Sequence, residues 1–403
     1  MNSFEEIYDR KNSRSVKWDA MGEIYNLDET SDVLPMWIAD MDFPAPSQVL
    51  MALQKRLDHS IFGYSLMCDE CREAVINWQA KRNDWQINPE WLLFHHGIIP
   101  AIASIIETYT EKDDKILVTP PVYPPFFQLA QNQDRKVLYS NLVEQDGHYT
   151  IDFTDFEEKL KESSLFILCN PHNPGGRVWS IEELQKVIKL CSKYDVLIIS
   201  DEIHGDLIVG PERYTPLAKI AGEESNRIFT CLAPTKTFNL AGIQVAAIVA
   251  TDKEKRLKLE KHALAHGSGM LNSFASTALI AAYNESESWL EQMLSVISRN
   301  MDYAIKELKR QVPGIEVTKP QATYLLWINY RSLHLSEKEV MDLLLTHGKV
   351  ALEPGSKYGE AGLGYLRLNV ACPRPVLEDG VNRIAFALTK EKKQMMETKE
   401  DVL

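Results

Sequence analysis

The residues able to do chemistry are spread thinly along this chain, and Lys236 is the one whose surroundings are least ordinary. It stands in Cys231-Leu-Ala-Pro-Thr-Lys-Thr-Phe-Asn-Leu-Ala-Gly-Ile-Gln244. Ile228-Phe-Thr-Cys231 before it and Val245-Ala-Ala-Ile-Val-Ala250 after it read as buried strands. A lysine held in a tight connection between core strands, among small and hydroxyl residues, is a candidate for a lowered pKa and for Schiff-base chemistry with a carbonyl. An ordinary lysine is a solvated surface charge. The assignment therefore stands only if the rest of the chain supplies a matching site.

Other polar residues fall where apolar runs stop. Asp201-Glu-Ile-His204 follows Val196-Leu-Ile-Ile-Ser200, and an aspartate at such a strand mouth needs a cationic or donor partner, although it also suits a helix N-cap. Asn170-Pro-His-Asn-Pro-Gly-Gly-Arg177 follows Leu165-Phe-Ile-Leu-Cys169. Its Pro and Gly serve the turn, while Asn173 can donate to a ligand oxygen. Tyr123, fixed among Pro120, Pro121, Pro124 and Pro125, can pack in its loop or lie flat on an aromatic ring. Gly97-Ile98-Ile99-Pro100 opens an apolar helix, so its free amides form an anion site or simply start the helix. Arg367, inside the apolar run Tyr365–Val370, is costly there unless paired, and its guanidinium fork suits a carboxylate.

The elements that must position these residues follow an α/β pattern. From about residue 92, short apolar runs (116–119, 165–169, 196–200 and the two around Lys236) alternate with helices, as in strands buried on both faces of a mostly parallel sheet. In that architecture ligands bind beyond the carboxyl ends of the strands. Ser180-Ile-Glu-Glu183 predicts a capping box, followed by an inner helix face of Ile181, Leu184, Val187, Ile188 and Cys191. Ser47 is expected to cap a helix to about Leu57, another helix covers about 68–82, and a long helical region spans about 252–310. Strands at 324–329, 349–352 and 365–370, with helices near 336–347 and 375–392, predict a smaller α+β domain. The expected division is 1–46 as arm and loop joining the small domain, 47–290 as the large domain, and 291–403 as the small one.

Composition narrows the function classes. The chain has 403 residues, 45% hydrophobic and 25% charged, and these are values of a soluble globular protein large enough for two domains. Its formal charge of -13 argues against nucleic acid and anionic membranes as partners. Six scattered cysteines suit a reducing compartment rather than a disulfide framework. Cys68-Asp-Glu-Cys71 has CxxC spacing but no second ligand pair, and no metal is expected. The start, Met1–Arg10, lacks a basic stretch before an apolar run, so a cytoplasmic location is expected.

Taken together, Asn170–Arg177, Ser200–His204 and Ala233–Gly242, with Ser15-Val-Lys-Trp-Asp19, Leu34–Phe43 and Lys349–Cys372, resemble the fold type I (aspartate-aminotransferase-like) pyridoxal 5'-phosphate (PLP) enzymes. More narrowly they resemble their cystathionine β-lyase/C–S lyase branch of MalY/PatB type. The resemblance implies a large PLP domain with a mostly parallel seven-stranded sheet. It makes Lys236 the Schiff-base lysine and general base, sets Asp201 on the ring nitrogen and Asn173 on the ring oxygen, and stacks Tyr123 on the ring. Gly97, Ile98, Ile99 and Thr235 would hold the phosphate, His204 would contact the cofactor, and Arg367 with Asn173 would take the substrate α-carboxylate. Tyr64 would reach the phosphate of a second subunit, making the protein a homodimer with shared sites. Many aminotransferases place an arginine eight residues after the lysine, where this chain has Gln244, so its phosphate site leans on amides and hydroxyls.

The activity so implied is α,β-elimination from L-cystathionine or a related cysteine thioether, giving a thiol, pyruvate and ammonia, in methionine and cysteine metabolism. Lys236 or a nearby tyrosine (Tyr64 or Tyr123) would protonate the departing thiolate. An aminotransferase on the same scaffold is the alternative, and a regulatory protein built on it a more distant one. The 36–43 loop and Tyr358 are the suspects for substrate choice.

Overall fold

The computed structural model describes residues 4–27 and 32–391. In chain order the strands are β1 (Leu34–Pro35), β2 (Leu92–His95), β3 (Lys115–Val118), β4 (Lys136–Tyr139), β5 (Val143–Gln145), β6 (His148–Thr150), β7 (Leu165–Cys169) and β8 (Leu197–Asp201). They continue with β9 (Ile228–Leu232), β10 (Ala246–Val249), β11 (Glu316–Val317), β12 (Leu325–Asn329), β13 (Val350–Ala351), β14 (Glu353–Pro354) and β15 (Tyr365–Asn369).

The expected seven-stranded sheet is present, in the order β2-β10-β9-β8-β7-β3-β4. Its one reversed strand, β10, runs antiparallel to both neighbours, and the other pairs are parallel. Period-2 geometry explains why the strands are apolar throughout. Along β7, Leu165, Ile167 and Cys169 enter one core with Ile102, Ile105 and Phe126, while Phe166 and Leu168 enter the other with Leu184 and Val187. Each such aliphatic side chain contributes about 1.5–3 kcal/mol on burial.

A second, antiparallel sheet has the order β11-β12-β15-β14, and β1 pairs in parallel with β13. The latter pairing ties the N-terminal segment to the C-terminal part of the chain. The strand expected over 349–352 is β13 alone, and β14, which follows it at once, was not expected and joins a different sheet.

Other details also differ from expectation. The first long helix, Ser47–Asp58, is entered from Pro46 without a side-chain cap, because Ser47 is itself helical and its hydroxyl bonds to Gln48. The capping box at Ser180 and Glu183 is present, but Ile181, in the first turn of helix Ile181–Lys193, is 46% exposed rather than on the inner face. The 252–310 region is three helices, Lys253–Ala265, Ala275–Glu285 and Glu287–Gln311. The expected C-terminal helix begins as Arg374–Phe386, and its residue 392 lies outside the described residues. No helix among the described residues is long and apolar enough to cross a membrane.

Candidate active site

A cleft of about 960 Å³ opens at the carboxyl ends of the parallel strands, where the sequence placed it. Asp201, the last residue of β8, is 4% exposed and accepts a hydrogen bond from the Ile203 amide at 3.1 Å. Burial pushes its carboxyl up to about 7, against the opposing pull of that amide and of Lys236. Strand alternation decides between the two adjacent acids. Glu202 turns away from the cleft and is buried among the Ser200 hydroxyl, Tyr214 and the Leu217 amide.

Asn173, Thr235, Lys236, Tyr123 and His204 line the same cleft. Lys236 lies on the single helical turn Pro234–Thr237 between β9 and β10, as its flanks implied. Burial and the Arg367 charge lower its ammonium to about 8, against the acids Asp40, Asp201 and Glu353. Nζ donates to the Ala39 carbonyl. Burial likewise raises the Tyr123 hydroxyl to about 12. His204 is 2% exposed, its Nδ1 has no partner, and burial followed by the Lys236 and Arg367 charges lowers it to about 3. Gly97, Ile98 and Ile99 complete this floor. Gly97 has φ +135°, which an L side chain rarely adopts, and it leads into helix Ile98–Tyr109 with the first-turn amides facing the cleft.

The opposite wall joins Arg367 and Tyr358, both expected from the sequence, to Glu353, which the sequence did not single out. Arg367 is 3% exposed; Nη1 donates to Asn173 Oδ1 at 3.2 Å, and Nη2 to the Trp37 carbonyl at 3.0 Å and to the Glu353 carboxylate. Its Nε is buried without a partner. The Tyr358 hydroxyl donates to Glu353 at 2.7 Å, and its ring faces the guanidinium at 5.2 Å. Glu353 is the direct cross-strand partner of Arg367 between β14 and β15, a relation set by register that spacing along the chain does not reveal.

The 36–43 loop is gripped from both sides. Asn239, three residues beyond Lys236, donates to the Met41 and Phe43 carbonyls and accepts from the Met41 amide. Asn369, two residues beyond Arg367, donates to the Ile38 and Asp40 carbonyls. Farther out, Asp42 receives Lys17 at 2.7 Å and Arg10 at 2.7 Å. Burial alone would raise this carboxyl, but those two cations hold it below its usual value. Lys17 and Trp18, within the segment 1–46 expected to be an arm and loop, are thus built into the loop's support.

Tyr64 is the one expected site residue that the structure keeps away from this chain's own cleft. It is 95% exposed on an irregular segment with Ile61, Phe62 and Leu66, all more than half exposed.

The family model for aminotransferase class I and II matches residues 31–384. The chain belongs to this family. Among its members, the cystathionine beta-lyase PatB of Bacillus subtilis (strain 168) is 43% identical over 389 residues, which cover 96% of this chain and all of that protein. A PLP-bound, provisionally named aminotransferase from Clostridium difficile 630 superposes with a TM-score of 0.94 at 42% identity, over 96% of this chain and 100% of the other. The PLP-bound C-S lyase of Staphylococcus hominis gives 0.90 at 31% identity, over 96% and 98%. The fold is therefore that of the fold type I PLP enzymes, as the motifs implied.

Proposed function

We propose that the chain is a PLP-dependent carbon–sulfur β-lyase that cleaves L-cystathionine or a related cysteine thioether to a thiol, pyruvate and ammonia. The observation that carries this reading is the full-length, 43% identity to a cystathionine β-lyase. The residues present fit the cofactor. Asp201 is a buried carboxyl with a single amide donor, and such a group is relieved by a cationic N–H. The first turn of helix Ile98–Tyr109 offers unpaired amides to an anion, and Thr235 adds a hydroxyl.

Bound PLP supplies an electron sink for the electron pair left at the substrate Cα. Lys236 would hold the cofactor aldehyde, and its amine, lowered to about 8, is suited to take the substrate α-proton near neutral pH. Asp201 would hold a proton at the ring nitrogen, Asn173 would donate to the ring oxygen, and Tyr123 would pack against the ring, since all three line the cleft. His204 lies behind this set as a neutral imidazole. Ile98, Ile99, Gly97 and Thr235 would receive the phosphate. Arg367, with Asn173, receives the α-carboxylate; its Nε is unpartnered, and a small swing of Glu353 frees a fork edge. Lys236 or Tyr123 protonates the departing thiolate.

The chain is further proposed to act in the cytoplasm as a homodimer, with Tyr64 reaching the partner's phosphate site; the exposed Ile61, Phe62, Tyr64 and Leu66 support such a surface. The proposed large unit, 47–290, contains the seven-stranded sheet, and the small unit, 291–403, the four-stranded one. The N-terminal segment joins the small unit through β1 and the large unit through the Asn239 bonds to Met41 and Phe43, and the 290/291 border falls within helix Glu287–Gln311.

The test is incubation with L-cystathionine and no keto-acid acceptor. Pyruvate and thiol in equal amounts, with no amino-group transfer, are expected. Strict dependence on an acceptor would make the protein an aminotransferase instead.

A further inference from the structure

Away from the cleft, the C-terminal ends of two packed helices bring together a group of side chains that the proposed reaction does not use. Glu107 lies in the last turn of helix Ile98–Tyr109, His262 in the last turn of helix Lys253–Ala265, and His266 caps the latter. The two helices pack against each other. A four-residue separation puts both imidazoles on one helix face, and their rings stack with centroids 4.1 Å apart. Both turn Nε2 toward one carboxylate: His262 Nε2 is 3.0 Å from Glu107 Oε2, and His266 Nε2 is 3.6 Å from Oε1.

These spacings are close to those of metal ligands. Two atoms each about 2.0–2.1 Å from a tetrahedral ion stand about 3.3 Å apart, and the ligand atoms of all three residues lie within 4.8 Å of one another. Small side-chain rotations close the remainder.

The hydrogen bonding points the same way. His266 Nδ1 lies 2.9 Å from the His262 backbone oxygen. A carbonyl only accepts, so Nδ1 carries the proton and Nε2 presents its lone pair toward Glu107. Such an imidazole, oriented by a backbone carbonyl through its other nitrogen, is the usual arrangement of a metal-binding histidine. Two lone-pair atoms facing each other at 3.6 Å call for a positive particle, either a proton or a metal cation. The carbonyl-rich ends of both helices favour positive charge at the same place. Lys258, four residues before His262 on the same helix, is directed over the Tyr109 ring, 4.8 Å from its centroid.

We propose that Glu107, His262 and His266 bind one zinc-class divalent cation, which clips helix Ile98–Tyr109 to helix Lys253–Ala265. Two imidazole nitrogens and a carboxylate select zinc, cobalt, nickel or copper over magnesium or calcium. Glu107 is nine residues from Ile98, about 13 Å along the helix. The ion would therefore steady the helix that offers its amides to the cleft without touching the reacting atoms.

The experiment uses the full chain loaded with PLP, freed of any affinity tag and treated with chelator. Zinc is titrated by calorimetry and cobalt by its visible absorption. One equivalent per chain is expected, with ligand-field bands of low-symmetry cobalt and a melting temperature raised by about 2–5 °C at saturating zinc. His266→Ala and Glu107→Gln should each weaken zinc binding at least tenfold and remove the thermal shift, with kcat for cystathionine changed less than twofold. Equal zinc affinity in the wild type and both variants would overturn the proposal. So would binding lost only in Cys68→Ser/Cys71→Ser, or an absence of cobalt bands, which leaves a histidine–carboxylate ion pair holding a proton only.

Discussion

Asp201, Asn173 and Lys236 reach the cleft from the ends of β8, β7 and β9, neighbouring strands of one sheet. Arg367 faces them from the other side, where it is held by Glu353 on an adjacent strand and by the Trp37 carbonyl, 330 residues away in the chain. The floor is a local product of strand, turn and helix. The wall is an assembly of distant segments in which backbone carbonyls matter as much as side chains. Lys236 and Arg367 are nonetheless linked, because both reach into the 36–43 loop, at Ala39 and Trp37. If, as proposed, the floor holds the cofactor and the wall takes the substrate carboxylate, the two should fail separately when mutated.

The largest effect is expected at the floor. Lys236→Ala should lower kcat/KM by about 10³-fold or more and abolish the visible absorbance of lysine-bound cofactor. A variant that keeps either one refutes the role of this residue. Arg367→Ala should cost about 10²-fold in kcat/KM, because it removes the proposed carboxylate clamp and leaves the largely buried Glu353 with only Lys357, 3.6 Å away, as a cationic partner. The cofactor absorbance should be unchanged, and its loss would mean that floor and wall are one unit.

Glu353→Gln should act in the opposite direction. Removing the anion beside Arg367 strengthens the pull on a substrate carboxylate, so KM should fall by about three- to tenfold, with the gain shrinking at high salt. An increase in KM would show that Glu353 serves mainly to position the guanidinium.

The smallest effect concerns stability. Burial raises Asp201 from 3.8 to about 7, so between these values the folded chain holds a proton that the unfolded chain has lost. Stability from this group therefore falls as pH rises through that window, and the full cost is present above it. Cofactor-free Asp201→Asn should melt a few degrees above the wild type at pH 8 and equally with it below pH 4. A constant difference across pH would remove Asp201 as the cause.

The floor was legible in the sequence because its residues stand at, or within about five residues after, the end of an apolar run, and a strand end is visible without knowing its neighbours. Tyr123, Asn173, Asp201 and Lys236 all follow that rule, and the structure brings them into one cleft. Glu353 was not legible, since its relation to Arg367 lies in the β14–β15 register. The loop clamps Asn239 and Asn369 stood within recognised motifs, but nothing in a sequence says which carbonyls an amide will reach. Ser47 and Ile181 were misread for a smaller reason: helix entry at Pro46 and the exposure of a first turn are settled by packing rather than by residue type.

The β1–β13 pairing also bears on the order in which the molecule is made. The seven strands of the floor are all synthesised by residue 249, yet Leu34 and Pro35 must wait for Val350 and Ala351 before the loop behind them can be fixed. Contacts of such long sequence separation form late. A nascent chain would thus present its lysine and acid well before its Arg367 wall could form, and competence for turnover would have to wait until the segment through β15 had left the ribosome.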